Sequence, residues 1–216
     1  MISLSVADIL GFLLAATRWT LLLSVIAFVG GGIGALLLLL LRYARPAVGA
    51  RFMTLYVELL QGTPLLLQLF LVFFGLPLLG IDVSPLLAAG VALTFYASAF
   101  LAEIWRGCVD AIGRGQWDAS ASLGMKFILQ MRYVILPQAL RIAVPPTVGF
   151  LVQLVKSTAL ASIVGFNELT KAGQIVTNAT FQPVVVYGLV AVIYFCMCFP
   201  LTYCARMLER KLSSSR

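Results

Sequence analysis

Few side chains in this 216-residue sequence could carry out chemistry, because only 11% of the residues are charged and none is histidine. The absence of histidine excludes bis-imidazole haem anchors, zinc sites that contain histidine and histidine proton relays. The four cysteines form no C-x-x-C pair, and we interpret them as small residues of apolar helices. The sequence also has no G-x-x-x-x-G-K-[ST] phosphate loop. We therefore predict no catalytic residue, no metal site and no ATP hydrolysis by this chain.

A second group of polar side chains lies within long apolar stretches, where an ionised residue costs about 2.5–3.5 kcal/mol or more at the centre of a bilayer. Glu58 and Lys156 provide charges of opposite sign, and Ser157 and Thr158 add hydroxyl groups next to Lys156. These groups could contact the ammonium and the carboxylate of a solute that crosses the membrane. They could equally pair with neighbouring protein groups or extend to the lipid headgroups. For Glu103 we favour a structural role, because this residue lies at the end of an apolar stretch.

Membrane helices are the elements that must position these side chains. Hydrophobic residues make up 62% of the sequence, against about 45–50% in soluble domains. A helix needs about 20 apolar residues to cross the hydrocarbon core, and five stretches meet that length: 19–41, 55–79, 85–104, 142–164 and 184–207. We therefore predict an all-α membrane protein with five transmembrane helices in a single domain, residues 1–216. The first stretch is expected to be a retained helix and not a removed signal peptide.

The basic residues predict the orientation of these spans, since cytoplasmic loops are enriched in lysine and arginine. Twelve of the 15 Lys and Arg residues would lie on one side of a five-span protein: Arg42, Arg45, Arg51, Arg106, Arg114, Lys126, Arg132, Arg141, Arg206, Arg210, Lys211 and Arg216. This bias places the N-terminus outside and the C-terminus in the cytoplasm. It also argues against nucleic-acid binding despite the net charge of +7, because the charges separate apolar stretches and form no single patch.

Glycine and proline indicate where the spans pack closely or bend. Gly30 and Gly34 form a G-x-x-x-G spacing in the first span, which we interpret as a site of close helix packing. Gly62 and Pro64 interrupt the second apolar stretch and predict a hinge, either a packing kink or a gate. Residues 4–16 precede the first span and could form a short helix at the membrane interface.

The segment between the third and fourth spans, residues 105–141, is too long for a simple connector. Residues 116–125 predict a short helix that ends near Gly124, since glycine is a common helix stop. Residues 126–136 predict a second helix that Pro137 is expected to terminate. The two helices would form a compact knob that projects into the cytosol, as either a partner-binding element or a stiff loop.

The spacing within this segment resembles the EAA loop of the permeases of ATP-binding-cassette (ABC) importers. The pattern in that family is Glu-Ala-Ala, three residues, Gly, nine residues and Ile-x-Leu-Pro. This sequence keeps every spacing, with Asp, Ser and Val in place of Glu, the second Ala and Ile. The resemblance implies that six residues couple the chain to a separate ATP-hydrolysing subunit: Asp118, Ala119, Ser120, Gly124, Leu136 and Pro137.

Other segments resemble the polar amino-acid branch of the same permease family. Residues 58–77 resemble its ELxRGTPLLxQLFxxYFGLP stretch, with Gln61 in place of Arg, and residues 136–146, 156–160 and 167–169 resemble later stretches. The resemblance implies a type I ABC-importer permease in the bacterial inner membrane with polar L-amino acids as substrates. It further implies a second permease subunit, identical or paralogous, two ATPase subunits that bind ATP and Mg²⁺, and an extracytoplasmic solute-binding protein. No cofactor is expected on this chain.

Three alternatives follow from the same residues. A proton-coupled secondary carrier would use Glu58 or Glu103 as its titrating group, although the five spans contain no evident inverted repeat. A membrane anchor of a redox enzyme is disfavoured by the absence of histidine. An ABC permease for another kind of solute would keep the same coupling segment. In each case residues 165–183 are expected to form an outer loop, which in an importer would face the binding protein.

Overall fold

The computed structural model describes residues 5–213, and within that range the chain is helical and contains no strand. The helices, in chain order, are α1 Val6–Ala44, α2 Pro46–Gln61, α3 Leu65–Leu78, α4 Pro85–Asp110, α5 Arg114–Ser122, α6 Phe127–Gln130, α7 Leu136–Ser157, α8 Leu169–Thr180 and α9 Pro183–Ser213. A π-helical turn, Met131–Ile135, joins α6 to α7, and a 3₁₀ turn, Thr158–Ser162, follows α7.

Four helical segments are long and apolar enough to cross a membrane, with a fifth if α2 and α3 form one broken span. The four are Val6–Ala44, Pro85–Asp110, Phe127–Ser162 and Pro183–Lys211. The axes of α2 and α3 differ in direction by 96° across a short break. The all-α prediction is therefore confirmed for the described residues, and the second predicted span is the one that departs from a simple helix.

The prediction of a separate short helix over residues 4–16 is wrong for the part that is described. α1 is continuous for 39 residues, a length of about 58 Å at 1.5 Å per residue. It begins with a capping box, in which Ser5 accepts a hydrogen bond from the Asp8 N–H and the Asp8 carboxylate accepts one from the Ser5 N–H. No proline interrupts the helix before the first span, so nothing ends it there.

The glycines of the first span bring α1 against α4 within the same chain. A Cβ atom added to Gly31 would lie 2.4 Å from the Cβ of Ala97, and one added to Gly34 would lie 2.8 Å from the Cβ of Ser98. Real side chains do not tolerate such separations, so any larger residue would force the helices apart. The prediction of close helix packing at the G-x-x-x-G spacing is confirmed.

The predicted outer loop between the fourth and fifth spans contains a helix, α8. One face of α8 is buried against α1 and α9 through Leu169, Ala172 and Val176, which contact a cluster that includes Ile9 and Val190. The apolar residues recur three and four positions apart, which is the spacing of one helix face. The prediction of a loop over residues 165–183 is therefore wrong, because a packed helix occupies most of that range.

The prediction that Pro137 terminates a helix is also wrong. The structure contains one long helical segment, Phe127–Ser162, in which Pro137 lies in the first turn of α7. A proline is tolerated there because a first-turn residue needs no intrahelical N–H bond, and the π-helical turn before it changes the hydrogen-bond ladder. Because α4 extends to Asp110, the connector is shorter than residues 105–141 suggested.

Candidate functional sites: a helical knob and a membrane cavity

The connector between α4 and α7 folds into a knob, which we define as residues 111–126 with α5 as its main element. A helix of nine residues is marginal in water by itself, so α5 depends on packing. Beneath it lies a small apolar core of Val109, Ile112, Met131, Ile135 and Ala139. Ile112 belongs to the knob, and the other four lie at the ends of the two spans and in the π-helical turn, so the knob is fixed to both spans.

Aromatic stacking and one polar contact hold α5 on this core. The Trp117 ring stacks on Phe127 with a centroid separation of 6.3 Å and an interplanar angle of 16°. Phe127 also contacts Tyr43 at the end of α1, with a centroid separation of 6.2 Å. The Gln138 side-chain amide donates to the Gln116 side-chain oxygen at 3.3 Å. The knob is therefore attached to three helices and not to a flexible linker.

Gly124 ends α5 in the way that its residue type predicts. Its φ is +73°, a left-handed conformation that glycine adopts without a steric penalty. The Gly124 N–H donates to the Ala121 carbonyl at 2.9 Å, and the Met125 N–H donates to the Ser120 carbonyl at 3.2 Å. This pair of bonds is a Schellman motif, so Gly124 shapes the knob through its backbone.

The other predicted coupling residues divide into an exposed and a buried set. Asp118 and Ala119 are exposed on α5, and Leu136 and Pro137 are exposed at the start of α7. Ser120 is buried, and its hydroxyl donates to the Trp117 carbonyl at 2.9 Å. The structure therefore leaves Asp118 and Ala119 accessible to a partner, while Ser120 supports the knob from inside.

Two exposed apolar side chains extend the surface of the knob beyond the predicted residues. Leu123 is 81% exposed and Ile128 is 75% exposed, and both lie beside the turn at Gly124. Sequence reasoning missed them because it assigned no outer face to either predicted helix, 116–125 or 126–136. The apolar run Phe127–Ile128–Leu129 next to a glycine turn is the signal that could have indicated them.

An ion-pair group lies at the base of the knob. Arg106 pairs with Glu103, and its guanidinium also donates to the Asp110 carboxylate at 2.6 Å. Both carboxylates lie on the same face of α4 as Arg106, three and four residues away. The structural role predicted for Glu103 is consistent with this arrangement.

A cavity with mostly apolar walls and two basic side chains, Lys156 and Arg206, lies between α7 and α9. It has a volume of about 580 Å³ and adjoins a second cavity of about 410 Å³, and Lys156, Thr202 and Arg206 line both. Tyr194, together with the aromatic series Phe195, Phe199 and Tyr203, forms another wall of the larger cavity. The rings of Phe195 and Phe199 stack with a centroid separation of 5.1 Å.

The structure brings only Lys156 of the four predicted pathway residues to this cavity. The Ser157 hydroxyl donates to the Gln153 carbonyl at 3.0 Å, and the buried Thr158 hydroxyl donates to the Val155 carbonyl at 2.7 Å. Glu58 is exposed on α2 and lines neither cavity. The predicted grouping of Glu58 with Lys156 is therefore not found within one chain.

The break between α2 and α3 lies at Gly62 and Pro64, where the sequence predicts a bend, and a role of this break as a gate stays a prediction. α2 ends at Gln61, Pro64 is the N-terminal cap of α3, and the chain turns sharply between them. The carbonyls freed at the break are bonded by Gln68, whose side-chain amide donates to the Leu60 carbonyl at 2.7 Å and to the Thr63 carbonyl at 3.1 Å. Sequence reasoning missed Gln68, whose side chain closes the break.

A fully buried carboxylate, Glu168, caps the N-terminus of α8. It accepts the N–H groups of Thr170 and Lys171 at 2.8 Å each and the Tyr194 hydroxyl at 2.9 Å. Burial raises the pKa of Glu168 above its ordinary value of 4.5, against the opposing effect of these hydrogen-bond donors. The sequence places Glu168 in an outer loop, whereas in the structure it is buried at the start of α8.

Comparison with known proteins relates this geometry to a family. Residues 30–214 match the family described as "Binding-protein-dependent transport system inner membrane component". A probable amino-acid ABC transporter permease protein of Bacillus subtilis, YckA, is 32% identical over 93% of this chain and 88% of its own length. The L-cystine transport system permease protein TcyB of the same organism is 34% identical over 90% of this chain and 83% of its own length. The glutamine transport system permease protein GlnP of Escherichia coli K12 is 32% identical over 93% of this chain and 92% of its own length.

Solved structures agree with this assignment. An amino acid ABC transporter crystallised with histidines is 30% identical, with a TM-score of 0.90 over 97% of this chain and 100% of the matched chain. A chain of the MetNI methionine ABC transporter is 23% identical, with a TM-score of 0.77 over 93% of this chain and 96% of the matched chain. It shares the fold. From its sequence match over most of its length and from this fold, the chain belongs to the family of binding-protein-dependent transport system inner membrane components and is an ABC transporter permease.

Proposed function

We propose that this chain forms part of the pathway of an importer for polar amino acids, with its N-terminus outside and its C-terminus in the cytoplasm. The observation that carries the proposal is the knob, a rigid helix with an exposed carboxylate, Asp118, fixed between two spans. The permeases of glutamine and L-cystine transport systems among its relatives support amino acids as the substrates. The enrichment of basic residues in the connectors on one side supports the orientation.

The partners follow from this role. Two ATPase subunits bind ATP and Mg²⁺ and receive the knob, a second permease subunit, identical or paralogous, completes the pathway, and a binding protein delivers the solute from outside. In the knob, Asp118 and Ala119 contact the ATPase directly, together with Leu136 and Pro137. Ser120 and Gly124 keep the contacting residues in place, through a buried side chain and a Schellman turn.

The long segment Phe127–Ser162 links the knob to the cavity mechanically. Phe127 stacks on Trp117 of the knob at one end, and Lys156 lines the cavity towards the other end. A displacement of α5 by the ATPase therefore moves Lys156 through one helical segment, without an intervening loop. Such rigid-body motion is a common way to convert nucleotide-driven closure into a change of access.

Lys156 provides the cationic contact for a substrate carboxylate. It is exposed to the cavity, and no carboxylate pairs with it among residues 5–213. The faces of Phe199 and Tyr203 on the opposite wall suit a substrate ammonium group, because aromatic rings attract cations. Contacts of Glu58, Ser157 and Thr158 with substrate stay predictions, as does gating by Gly62 and Pro64.

Uptake into proteoliposomes tests the proposal. Vesicles that contain this chain and its ATPase, with the binding protein outside, are supplied with a panel of labelled amino acids, with and without enclosed ATP. We expect ATP-dependent uptake of one or two of them, and a loss of about tenfold or more in Asp118→Lys, because the reversed charge disrupts docking. Asp82→Lys is the matched control, since Asp82 is exposed just before the start of α4, away from the knob that follows the end of α4.

The alternatives give different results in the same assay. Uptake that needs a proton gradient but no ATP would contradict the importer. Solute-stimulated ATP hydrolysis without uptake of any amino acid would keep the importer and reject amino acids as its substrates. Equal loss in Asp118→Lys and Asp82→Lys would reject the specific role of the knob.

A further inference from the structure

A chain of hydrogen bonds connects the outer helix α8 with the wall of the cavity. The Glu168 carboxylate binds two N–H groups at the start of α8 and, through the same oxygen that accepts the Thr170 N–H, the hydroxyl of Tyr194 on α9. Tyr194 lines the larger cavity together with Lys156. The Thr170 hydroxyl lies 3.1 Å from the Tyr194 hydroxyl and is a second contact between the two helices.

The choice of glutamate at this position is informative. The residues preferred at helix N-caps are Ser, Thr, Asp and Asn, whose short side chains reach the first backbone N–H groups. Glutamate has one more methylene group, which capping alone does not require. In this structure the longer side chain caps α8 and also reaches Tyr194, 2.9 Å away. Capping therefore does not explain the residue type, whereas contact with Tyr194 does.

The contact is also enclosed on its other sides. Glu168 has no exposed surface, and the Leu169 N–H next to it donates to the Thr20 hydroxyl of α1 at 3.1 Å. The Thr158 side chain, two residues from Lys156, lies close to the Tyr194 hydroxyl. A buried carboxylate that loses a donor is left with an unsatisfied acceptor, which is costly in the absence of water. Tyr194 and the start of α8 therefore move together.

We propose that Glu168 is a positioning residue that holds the Tyr194 phenol in the wall of the substrate cavity and thereby ties the outer helix α8 to that cavity. The inference rests on the proposed function, because it assigns Tyr194 a contact in the translocation step. A binding protein that contacts α8 from outside would then change the position of the Tyr194 phenol in the cavity wall through the Glu168 carboxylate. Glu168 does not touch the substrate and acts through Tyr194.

Three single variants separate positioning from capping. Glu168→Asp keeps an N-cap residue of a preferred type but withdraws the carboxylate from Tyr194. Tyr194→Phe keeps the ring and removes the hydroxyl. Tyr187→Phe is the matched control on the same helix, because the Tyr187 hydroxyl makes no hydrogen bond within residues 5–213 and lines neither cavity.

The readout is the dependence of ATP-driven uptake on the concentration of loaded binding protein in the proteoliposome assay. We expect Glu168→Asp and Tyr194→Phe each to lower kcat by about fivefold, the equivalent of one net hydrogen bond, with KM within about twofold of wild type. The double variant should lose about fivefold in total and not about 25-fold, because both changes break one interaction. Tyr187→Phe should match wild type.

Several outcomes would overturn the inference. Wild-type rates in Glu168→Asp, or additive losses in the double variant, would show that Glu168 does not act through Tyr194. A higher KM with unchanged kcat would assign Glu168 to binding-protein docking and not to the cavity. Reduced yield of folded Glu168→Asp with normal kcat per folded molecule would indicate capping alone. Absence of ATP-dependent uptake in wild type would reject the proposed function, whereas normal wild-type uptake with any of the results above would reject this inference alone, so the two failures are distinguishable.

Discussion

Two short helices, α5 and α8, connect long spans at different places in this molecule, and they are held in opposite ways. α5 has no side-chain cap at its N-terminus, most of its residues are exposed, and its stability comes from Trp117 and a small core at the span ends. α8 is capped by the buried Glu168, and its apolar face packs on α1 and α9. Most of the α5 surface is therefore exposed, whereas α8 makes its contacts within its own chain.

The difference shows how each helix can transmit motion. α5 has few internal contacts other than its base, so force applied to its exposed face passes to α4 and to the segment Phe127–Ser162. α8 exchanges hydrogen bonds with α9 through Glu168, so it passes a displacement to Tyr194. We therefore expect substitutions in α5 to act on coupling and substitutions around α8 to act on the cavity.

The largest expected effect comes from removing the ring that holds α5. Trp117→Ala should cost about 2 kcal/mol of local stability, below the 3–5 kcal/mol or so typical of a fully buried tryptophan, because Trp117 is only partly buried. The helix should then detach from its core and lose its hold on the ATPase. Co-purification of the ATPase with the permease in detergent measures this loss.

Trp19→Ala provides the contrast at the other helix. Trp19 contacts Phe166, just before α8, with a centroid separation of 6.3 Å, and it is distant in sequence from the knob. This variant should retain the ATPase as wild type does. If both tryptophan variants lose the ATPase equally, the separation of roles between α5 and α8 is wrong.

A smaller effect is expected where the two helices end, because each ends in a left-handed residue of a different type. Gly124 follows α5 with φ +73°, and Phe181 follows α8 with φ +57°. Gly124→Ala should destabilise the protein by about 1–2 kcal/mol, because a Cβ is strained in that region. Phe181→Gly should stabilise it by less than about 1 kcal/mol, since strain is relieved but the unfolded chain gains freedom. Thermal unfolding in detergent compares the two.

Gly188→Ala is the control for these substitutions. Gly188 lies inside α9, and a Cβ added there would meet nothing within 4 Å. Alanine should be neutral or slightly stabilising at that position, because it favours helix more than glycine does. A destabilisation by Gly188→Ala as large as that by Gly124→Ala would mean that the conformation of Gly124 is not the cause.

The same comparison shows what the sequence can predict. The spans, the α5 helix and its glycine stop follow from hydrophobic length, spacing and residue type. α8 also carries a signal, since Leu169, Ala172, Gly173 and Val176 have helical spacing, but the polar residues between them favoured a loop. The continuous segment through Pro137 was not predictable from proline alone, because its tolerance depends on the π-helical turn before it.

The candidate sites were predictable to different degrees for a physical reason. The coupling residues lie within 20 positions of one another, so their spacing is visible in the sequence. The cavity joins Lys156 on α7 to Tyr194 and Arg206 on α9, and no local pattern indicates which faces of two helices meet. The burial of Glu168 could not be predicted from the sequence, because it depends on the tertiary fold. A carboxylate is rarely placed in a core unless hydrogen-bond donors surround it.

The smallest expected effect is a pH dependence that belongs to the α8 side alone. Burial raises the pKa of Glu168 above 4.5, so the folded state holds its proton more tightly than the unfolded state does. The associated stability is fully present below pH 4.5 and is lost as the pH rises through the raised folded-state pKa. The groups that face the carboxylate are the Thr170 and Lys171 N–H groups and the Tyr194 hydroxyl, and they donate hydrogen bonds that oppose this shift.

Glu168→Gln isolates that contribution, because glutamine has a similar shape and does not titrate. The stability of wild type minus that of Glu168→Gln, measured by thermal unfolding in detergent, should therefore fall as the pH is raised from 4 towards neutrality. Gln174→Glu is a useful comparison, since a carboxylate on the polar face of α8 should give no such decline. A difference that instead grows with pH would mean that the three donors outweigh burial and hold the carboxylate ionised. The bond to Tyr194 would then be charge-assisted and stronger than a neutral one, and Glu168→Gln would slow uptake more than Tyr194→Phe.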